Sequence, residues 1–315
     1  MTTLAAFLAS IVREPDPSDT WLVLADWLED QGDPRYELVR LLCQPDYQRG
    51  LPQEQREERL RELLDCVPPV FENTLNAHFA WVPPGTFWMG GGGGEPGEKA
   101  VQIEQGFGLG VFPVTQEQWQ TVMGNNPSYF SRDGQGKDAV KDIPDADLWQ
   151  LPVERVSWDD AQEFIEKLNE KERVRRYLYR LPLEAEWEYS CRGGATSEEE
   201  CSYHFYFDKP TNDLCSRQAN FDGSYPFGKA EKGPSLGRPT RVGSYAPNKL
   251  GLYDMHGNVW EWCQDLYEKA GSDRVLRGGS WYFNGTSCQA SARSWSTPTI
   301  RLSYLGFRLA RVPRG

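Results

Sequence analysis

From Phe79 onward the chain consists of short apolar stretches that glycine and proline repeatedly interrupt. The 315 residues include 30 Gly and 22 Pro, together with 12 Trp, 14 Tyr and 14 Phe. Because glycine and proline break regular helices and strands, this pattern favours a loop-rich fold over a helical bundle. Most of the aromatic side chains are expected in the core, and a hydrophobic content of 39% allows a sizeable one.

The first 75 residues have a different, helical pattern. Apolar residues at positions 4, 7, 8 and 11 have helical spacing, and TWLVLADWLEDQG (20–32) predicts a second helix. A third helix is expected to begin after Asp33-Pro34, and the charged segment EQREERLRELLDC (54–66) follows. We therefore predict a small helical domain at 1–50, a charged helical linker at 51–75 and a main domain at 76–315.

Capping motifs predict the helices of the main domain. Thr115 and Gln118 form one capping-box pattern, and Ser157 and Asp160 form another, so a helix is expected after each. A shorter helix is predicted from Glu184 to Tyr189.

Strands and loops account for much of the remainder. Residues 79–90 read as a strand, a turn and a strand, and the five glycines at 90–94 predict a flexible loop and not a phosphate loop. Segments 131–149 and 195–245 have no sustained period and are expected to be long loops, which usually carry function or are disordered.

Charge and cysteine usage exclude several classes of function. The net charge of −12 argues against a nucleic-acid partner, because phosphate binding needs a basic surface. No apolar run reaches membrane-spanning length, and the N-terminus lacks the basic start of a signal peptide, so we expect a cytoplasmic protein without membrane insertion. The seven cysteines are irregularly spaced without a C-x-x-C pair, which favours buried thiols over disulfides or a zinc site.

Two glycine-containing motifs bracket the last part of the chain. The opening frame is Arg277-Gly278-Gly279-Ser280-Trp281, and the closing frame is Leu305-Gly306-Phe307-Arg308-Leu309. The inter-frame segment (282–304) mixes aromatic, hydroxyl, aliphatic and amide side chains without the period of a strand or a helix. Catalysis requires fixed residue types, so this mixture indicates a contact surface.

Several motifs, in order, resemble the formylglycine-generating-enzyme/sulfatase-modifying-factor family. They are WVPPGTF (81–87), PVT (113–115), VSWDDA (156–161), EAEWEY (184–189), GNVWEW (257–262) and the two frames. The resemblance implies an α+β fold, a variant of the C-type lectin fold, preceded by a small all-helical domain. The segment WLVLADWLE (21–29) resembles the bacterial repeat-companion domain, which implies a helical unit able to dock another protein.

The family resemblance argues against catalysis in this chain. The founding activity of the family oxidises a substrate cysteine at copper held by two cysteines, and the corresponding positions here are Phe283 and Cys288. One thiolate is therefore missing. Another branch holds iron with three histidines, but His78, His204 and His256 lie in unrelated segments. We expect a non-catalytic protein without copper or iron; the alternative is a formylglycine-generating-enzyme-like oxidoreductase acting on protein cysteine.

Calcium is the one metal that the resemblance leaves open. Four positions correspond to a family calcium site: Asp254, Gly257, Val259 and Glu261. Carboxylate and carbonyl oxygens at this spacing suit Ca²⁺. The alternative is that Asp254 and Glu261 hydrogen-bond a tight turn without metal.

The inter-frame segment resembles the variable region of proteins from diversity-generating retroelements, a further group with this fold. In that group, adenine-directed mutagenesis rewrites chosen codons near the 3′ end of the gene. The resemblance implies a variable segment at 275–310 that displays a diversified binding surface, with a protein as the expected ligand. The positions that correspond to variable ones are Tyr282, Phe283, Asn284, Ser287, Ala292, Ser294, Trp295, Ser296, Thr297, Ile300, Leu302, Ser303 and Tyr304.

Two features qualify this assignment. The template codons in that group are often asparagine AAY codons, in which Y is C or T and only the adenines change. Trp295 does not arise from such a codon, because the tryptophan codon ends in G. The larger members have the alternative of ordinary core packing; these are Phe283, Trp295, Ile300 and Tyr304. Cys288, Arg293, Pro298 and Arg301 correspond to fixed positions.

Overall fold

The computed structural model describes residues 70–173 and 177–313, helix α1 (Arg35–Cys43), and positions 22–23, 25–26, 29–30 and 55. Helix α1 begins just after Asp33-Pro34, where the third helix was expected, and Arg40 in it donates to Asp26 at 2.6 Å and Glu29 at 2.7 Å. The first predicted helix and nearly all of the charged segment 54–66 lie outside the described residues. The N-terminal domain boundaries therefore stay a prediction.

A five-stranded antiparallel sheet joins the two ends of the main domain. Its strands in spatial order are β1 (Val70–Glu72), β2 (His78–Val82), β5 (Phe107–Gly110), β11 (Ala310–Pro313) and β6 (Tyr177–Arg180). Strand β11 follows the closing frame directly and pairs with β5 and β6 on its two sides. The closing frame is therefore tethered to the interior of this sheet.

A four-stranded sheet carries the beginnings of both frames. Its strands in spatial order are β10 (Leu305–Gly306), β7 (Trp260–Leu266), β8 (Arg274–Arg277) and β9 (Ser294–Ser296). Strand β10 runs parallel to β7, and the other pairs are antiparallel. A separate two-stranded sheet holds β3 (Gly85–Met89) and β4 (Lys99–Ile103). The predicted strands at 79–90 are confirmed, although β2 and β3 belong to different sheets.

The helices confirm the capping predictions. Helices α2 (Gln116–Met123) and α4 (Trp158–Lys171) begin at complete capping boxes of Thr115 and Ser157. Helix α5 (Glu184–Cys191) is the predicted short helix, and it ends at Cys191 instead of Tyr189. Helix α3 (Asp145–Leu148) is a single turn within the segment expected to be a loop.

Aromatic rings hold two hydrophobic clusters together, as expected. One cluster includes Trp187 with Val275 of β8, and the other includes Trp262 with Leu276, the next residue of the same strand. Because successive residues of a strand point to opposite faces, the four-stranded sheet lies between the two clusters. In the second cluster, the Trp119 ring stacks on the Phe164 ring with their centroids 5.4 Å apart.

Hydrogen bonds fix the long loops. Residues 195–245 contain one short 3₁₀ turn among the described elements and no α-helix or paired strand longer than an isolated bridge. The glycine run predicted as a flexible loop is bonded at several points: Gly90 N–H donates to Glu188 at 2.7 Å, and Gly92 pairs with Glu95. Within the described residues no helix combines the length and apolarity needed to cross a membrane.

Candidate functional site

The opening frame is anchored by a buried arginine. Arg277 is 1% exposed and forms an ion pair with Glu188 of α5, which also binds Arg192 at 2.7 Å. Gly278 and Gly279 follow with φ of 99° and 74°, a region that favours glycine. A Cβ at Gly279 would lie 2.7 Å from the sulfur of Cys288, so the frame also needs glycine for space.

A second buried arginine anchors the closing frame. Nε and Nη2 of Arg308 donate to the two carboxylate oxygens of Glu261, each at 2.7 Å, and neither side chain is exposed to solvent. The remaining Arg308 donors reach the carbonyls of Gly110 and Tyr253 at 2.9 Å. Trp187 of α5 also donates to Glu261 at 2.7 Å, so the same helix supports both frames.

The inter-frame positions differ sharply in burial from the frames. Nine of the ten frame residues are buried, and the tenth, Trp281, is half-buried. None of the thirteen candidate contact positions is buried. The exposed ones are Tyr282, Asn284, Trp295 and Thr297; the half-buried ones are Phe283, Ser287, Ala292, Ser294, Ser296, Ile300, Leu302, Ser303 and Tyr304.

An aromatic cluster joins the two ends of the inter-frame segment. The Tyr282 and Tyr304 rings stack at 5.4 Å with an interplanar angle of 5°. The Phe283 ring stands edge-on to both, at 5.5 Å and 5.2 Å, and contacts Trp260 below at 6.1 Å. Phe283, Ile300, Leu302 and Tyr304 pack one side against the core, so the core alternative holds for part of each side chain. The other side remains open to solvent.

Trp295 lies on a different side of the four-stranded sheet. It pairs with Val275, whereas Ser294 pairs with Leu276, which belongs to the hydrophobic cluster beneath Phe283 and Tyr304. The Trp295 ring is 52% exposed and contacts Tyr267 at 6.0 Å. It is therefore separated from the aromatic cluster, and it is also the position whose codon does not fit the retroelement pattern.

Two of the fixed positions bind the inter-frame segment to helices. Arg293 donates to Glu184 at 2.6 Å and lies 4.1 Å from the Tyr267 ring. Arg301 makes two bonds, at 2.6 Å and 2.7 Å, to Asp160. Both arginine charges are thus matched by a carboxylate, and the candidate positions lie between points of attachment.

The two positions that correspond to the family's copper-binding cysteines, Phe283 and Cys288, cannot supply two thiolates. Cys288 is fully buried, and burial raises the pKa of its thiol to about 12. Thiolate is the form that binds metal or attacks, and Phe283 offers no sulfur. His256 lies near Cys191, but burial lowers the pKa of His256 to about 4, and its ring bonds the Tyr206 N–H and the Cys288 carbonyl. These contacts describe a neutral structural histidine.

The residues of the predicted calcium site do not fit the ion as they are arranged. Both oxygens of Glu261 accept bonds from Arg308, and one also accepts from Trp187. Asp254 has a φ of 58° and accepts the Gly243 N–H at 2.8 Å. Burial also raises the pKa of Asp254 to about 6. The turn braces the opening frame, because the Gly257 N–H donates to the Gly278 carbonyl at 2.7 Å.

We expect millimolar Ca²⁺ to leave the melting temperature within about 1 °C of its value in a chelator, because an ion that binds the folded state would raise it. Differential scanning fluorimetry checks this. A rise of several degrees that Glu261→Gln abolishes would show that Ca²⁺ displaces Arg308, contrary to our expectation.

Comparison with known proteins places this arrangement in a family. The sequence profile described as "Sulfatase-modifying factor enzyme 1-like domain" matches residues 67–313. The chain belongs to this family. It is 30% identical over 278 residues to the inactive Cα-formylglycine-generating enzyme 2 of Bos taurus, covering 89% of that protein. It is also 35% identical over 178 residues to the formylglycine-generating enzyme of Streptomyces coelicolor, but spans only 52% of that enzyme.

Solved structures confirm the fold of this sulfatase-modifying-factor family member. The chain resembles Treponema denticola variable protein 1 with a TM-score of 0.58 and 26% identity, over 79% of this chain and 99% of that one. PvdO from Pseudomonas aeruginosa has a TM-score of 0.56 at 23% identity and supports the fold alone. The predicted formylglycine-generating-enzyme type of α+β fold is thus confirmed.

Proposed function

We propose that this family member is a non-catalytic ligand-binding protein whose inter-frame segment displays a diversified surface. The observation that carries the proposal is the contrast in burial between the frames and the thirteen candidate positions. Two buried arginine–carboxylate pairs fix the ends of the segment. None of the side chains at these positions is fully buried, so we expect the fold to tolerate changes in them better than changes in the frames.

The chemistry of the surface supports a protein ligand. Tyr282 is 60% exposed and stacks on Tyr304, and the same segment carries hydroxyl and amide side chains at other candidate positions. Rigid aromatic anchors beside adaptable hydrogen-bonding groups are the composition that antibody paratopes use. Likeness to a solved protein named as variable, and to a relative named as inactive, agrees with this proposal.

A display library tests the proposal without knowledge of the natural ligand. The thirteen positions are randomised together and selected for binding to immobilised maltose-binding protein. We expect folded binders with a Kd of about 1 µM or tighter. The matched control randomises four exposed positions of α4, at 163, 166, 167 and 170. An inter-frame library that yields no more binders than the control, or only unfolded members, would contradict the proposal.

An oxidoreductase acting on protein cysteine is the competing function, favoured by the match to formylglycine-generating enzymes. Phe283 and the buried thiol of Cys288 argue against it. The assay incubates the protein with copper and a peptide that carries a sulfatase cysteine motif. We expect no turnover, and turnover that Cys288→Ser abolishes would overturn the binding proposal in favour of the enzyme.

A further inference from the structure

One exposed aromatic residue outside the inter-frame segment lies beside it. Tyr225 is 62% exposed, which is the highest value among the large hydrophobic side chains of the described residues; Tyr282 follows at 60%. A ring this exposed contributes little to the packing of the core, and most of its surface is available to a partner. The Lys232 ammonium lies 6.0 Å from the Tyr225 ring centroid.

Backbone hydrogen bonds hold Tyr225 against the inter-frame segment. The Asp222 N–H donates to the Phe283 carbonyl at 2.9 Å, and the Gly285 N–H donates to the Tyr225 carbonyl at 2.9 Å. These two bonds lie on either side of Asn284 and involve only backbone atoms. They therefore hold the loop 222–227 against the inter-frame segment whatever side chains the segment carries. Backbone bonds persist through changes of sequence, unlike side-chain contacts.

Gly285 makes this close approach possible. A Cβ at Gly285 would lie 3.0 Å from the Phe227 nitrogen and 3.1 Å from its Cβ. These distances are tighter than ordinary contacts, so a larger residue would push the loop 222–227 away. Gly285 was not among the candidate variable positions, which agrees with a requirement for glycine at this point.

We infer that Tyr225 and its loop 222–227 form a constant wall of the ligand-binding surface, which contacts protein ligands whatever sequence the inter-frame segment carries. This inference rests on the proposed function. The constant wall supplies a rigid aromatic anchor, and the thirteen positions supply specificity. Tyrosine suits this role because it contributes a large contact area at low entropic cost.

Charge indicates which partner surface fits. The inter-frame segment contains no Asp or Glu, and its two arginines are matched by Glu184 and Asp160. At the constant wall, the positive charge of Lys232 beside Tyr225 is offset by the carboxylate of Asp222 in the same loop. The wall therefore favours a protein surface that presents an apolar side chain and little net charge.

The test uses five independent binders of maltose-binding protein from the inter-frame library, each in the full chain. Tyr225→Ala is expected to weaken the affinity about tenfold or more in most of them, as for a buried aromatic anchor. Tyr225→Phe retains the ring and is expected to keep most of the affinity. Leu183→Ala, at an exposed apolar residue that lies outside both the inter-frame segment and the constant wall, serves as the control.

The outcomes separate the two proposals. Affinities that change less than about twofold on Tyr225→Ala in all five binders would overturn the constant wall and leave the proposed function standing. Equal losses on Leu183→Ala would overturn it as well, because the effect would not be local to the wall. A library without binders overturns the proposed function and the constant wall with it.

Discussion

Replacing Arg308 with methionine is expected to lower the free energy of unfolding by about 3–5 kcal/mol, the cost of leaving one member of a buried ion pair uncompensated. Glu261 would keep its charge at a site with no solvent exposure, and the carbonyls of Gly110 and Tyr253 would each lose a donor. Methionine fills much of the arginine volume, so the loss reports the charge and not a cavity. Urea denaturation measures it.

The matched control is Arg301→Met. Arg301 also makes two bonds to a carboxylate, that of Asp160, but its side chain is 53% exposed. An exposed pair contributes about 1 kcal/mol or less. The double variant Arg308→Met/Glu261→Gln removes the stranded charge and should recover part of the loss. Equal losses for the Arg308 and Arg301 variants would show that the closing frame does not depend on its buried pair.

Replacing Glu154 with glutamine is expected to make the protein more stable above pH 8 by a few kcal/mol. Burial raises the pKa of Glu154 from 4.5 to about 8, and one of its carboxylate oxygens has no hydrogen-bond partner. The folded state therefore binds the proton more tightly than the unfolded state does. The stabilisation that protonated Glu154 contributes to the folded state is fully present below about pH 4.5. It is lost as the pH rises to about 8, the pKa of Glu154 in the folded protein.

Glu154 contacts the loop that packs against the opening frame, so its ionisation has a structural consequence. Its other oxygen accepts the Phe130 N–H at 2.8 Å, and the Phe130 ring packs edge-on to Trp281 at 5.4 Å. The N–H of the next residue, Arg155, donates to the Leu302 carbonyl at 3.0 Å. We therefore expect ionisation of Glu154 to destabilise the loop whose Phe130 packs against Trp281 of the opening frame.

The measurement is the difference in unfolding free energy between Glu154→Gln and the parent chain at several pH values. A difference is needed because burial also shifts the pKa of Asp254 to about 6 and that of His256 to about 4, so the parent profile contains their titrations too. Glu166→Gln, at an exposed position of α4, is the control and should run parallel to the parent. Parallel profiles for Glu154→Gln as well would contradict the expectation.

Local motifs allowed the helices and the fold to be predicted from the sequence. Thr115 and Ser157 signal helix starts through contacts three residues away, so no tertiary information is needed. The family motifs carried the α+β fold, which the comparisons confirm. The candidate contact positions were assigned from the resemblance of the inter-frame segment to the variable region of retroelement proteins, which is carried by residues close together in the sequence.

Contacts between distant residues could not be predicted in this way. The family resemblance left calcium open at Glu261 from the motif at 254–261 alone, whereas the arginine that pairs with Glu261, Arg308, is 47 residues away. The same limit applies to Tyr225, whose carbonyl meets Gly285 only after the long loop has folded. For Trp295, only the pairing with Val275 tells which side of the sheet the ring occupies.

Sequencing the DNA around the gene tests the claim of diversification most directly. We predict a near-identical downstream copy of the sequence that encodes the inter-frame segment, beside a reverse transcriptase gene. Its differences from the gene should be adenines in the copy, at codons of the thirteen candidate positions. The absence of such a copy, or differences that fall on frame codons such as those of Arg277 and Arg308, would contradict the claim.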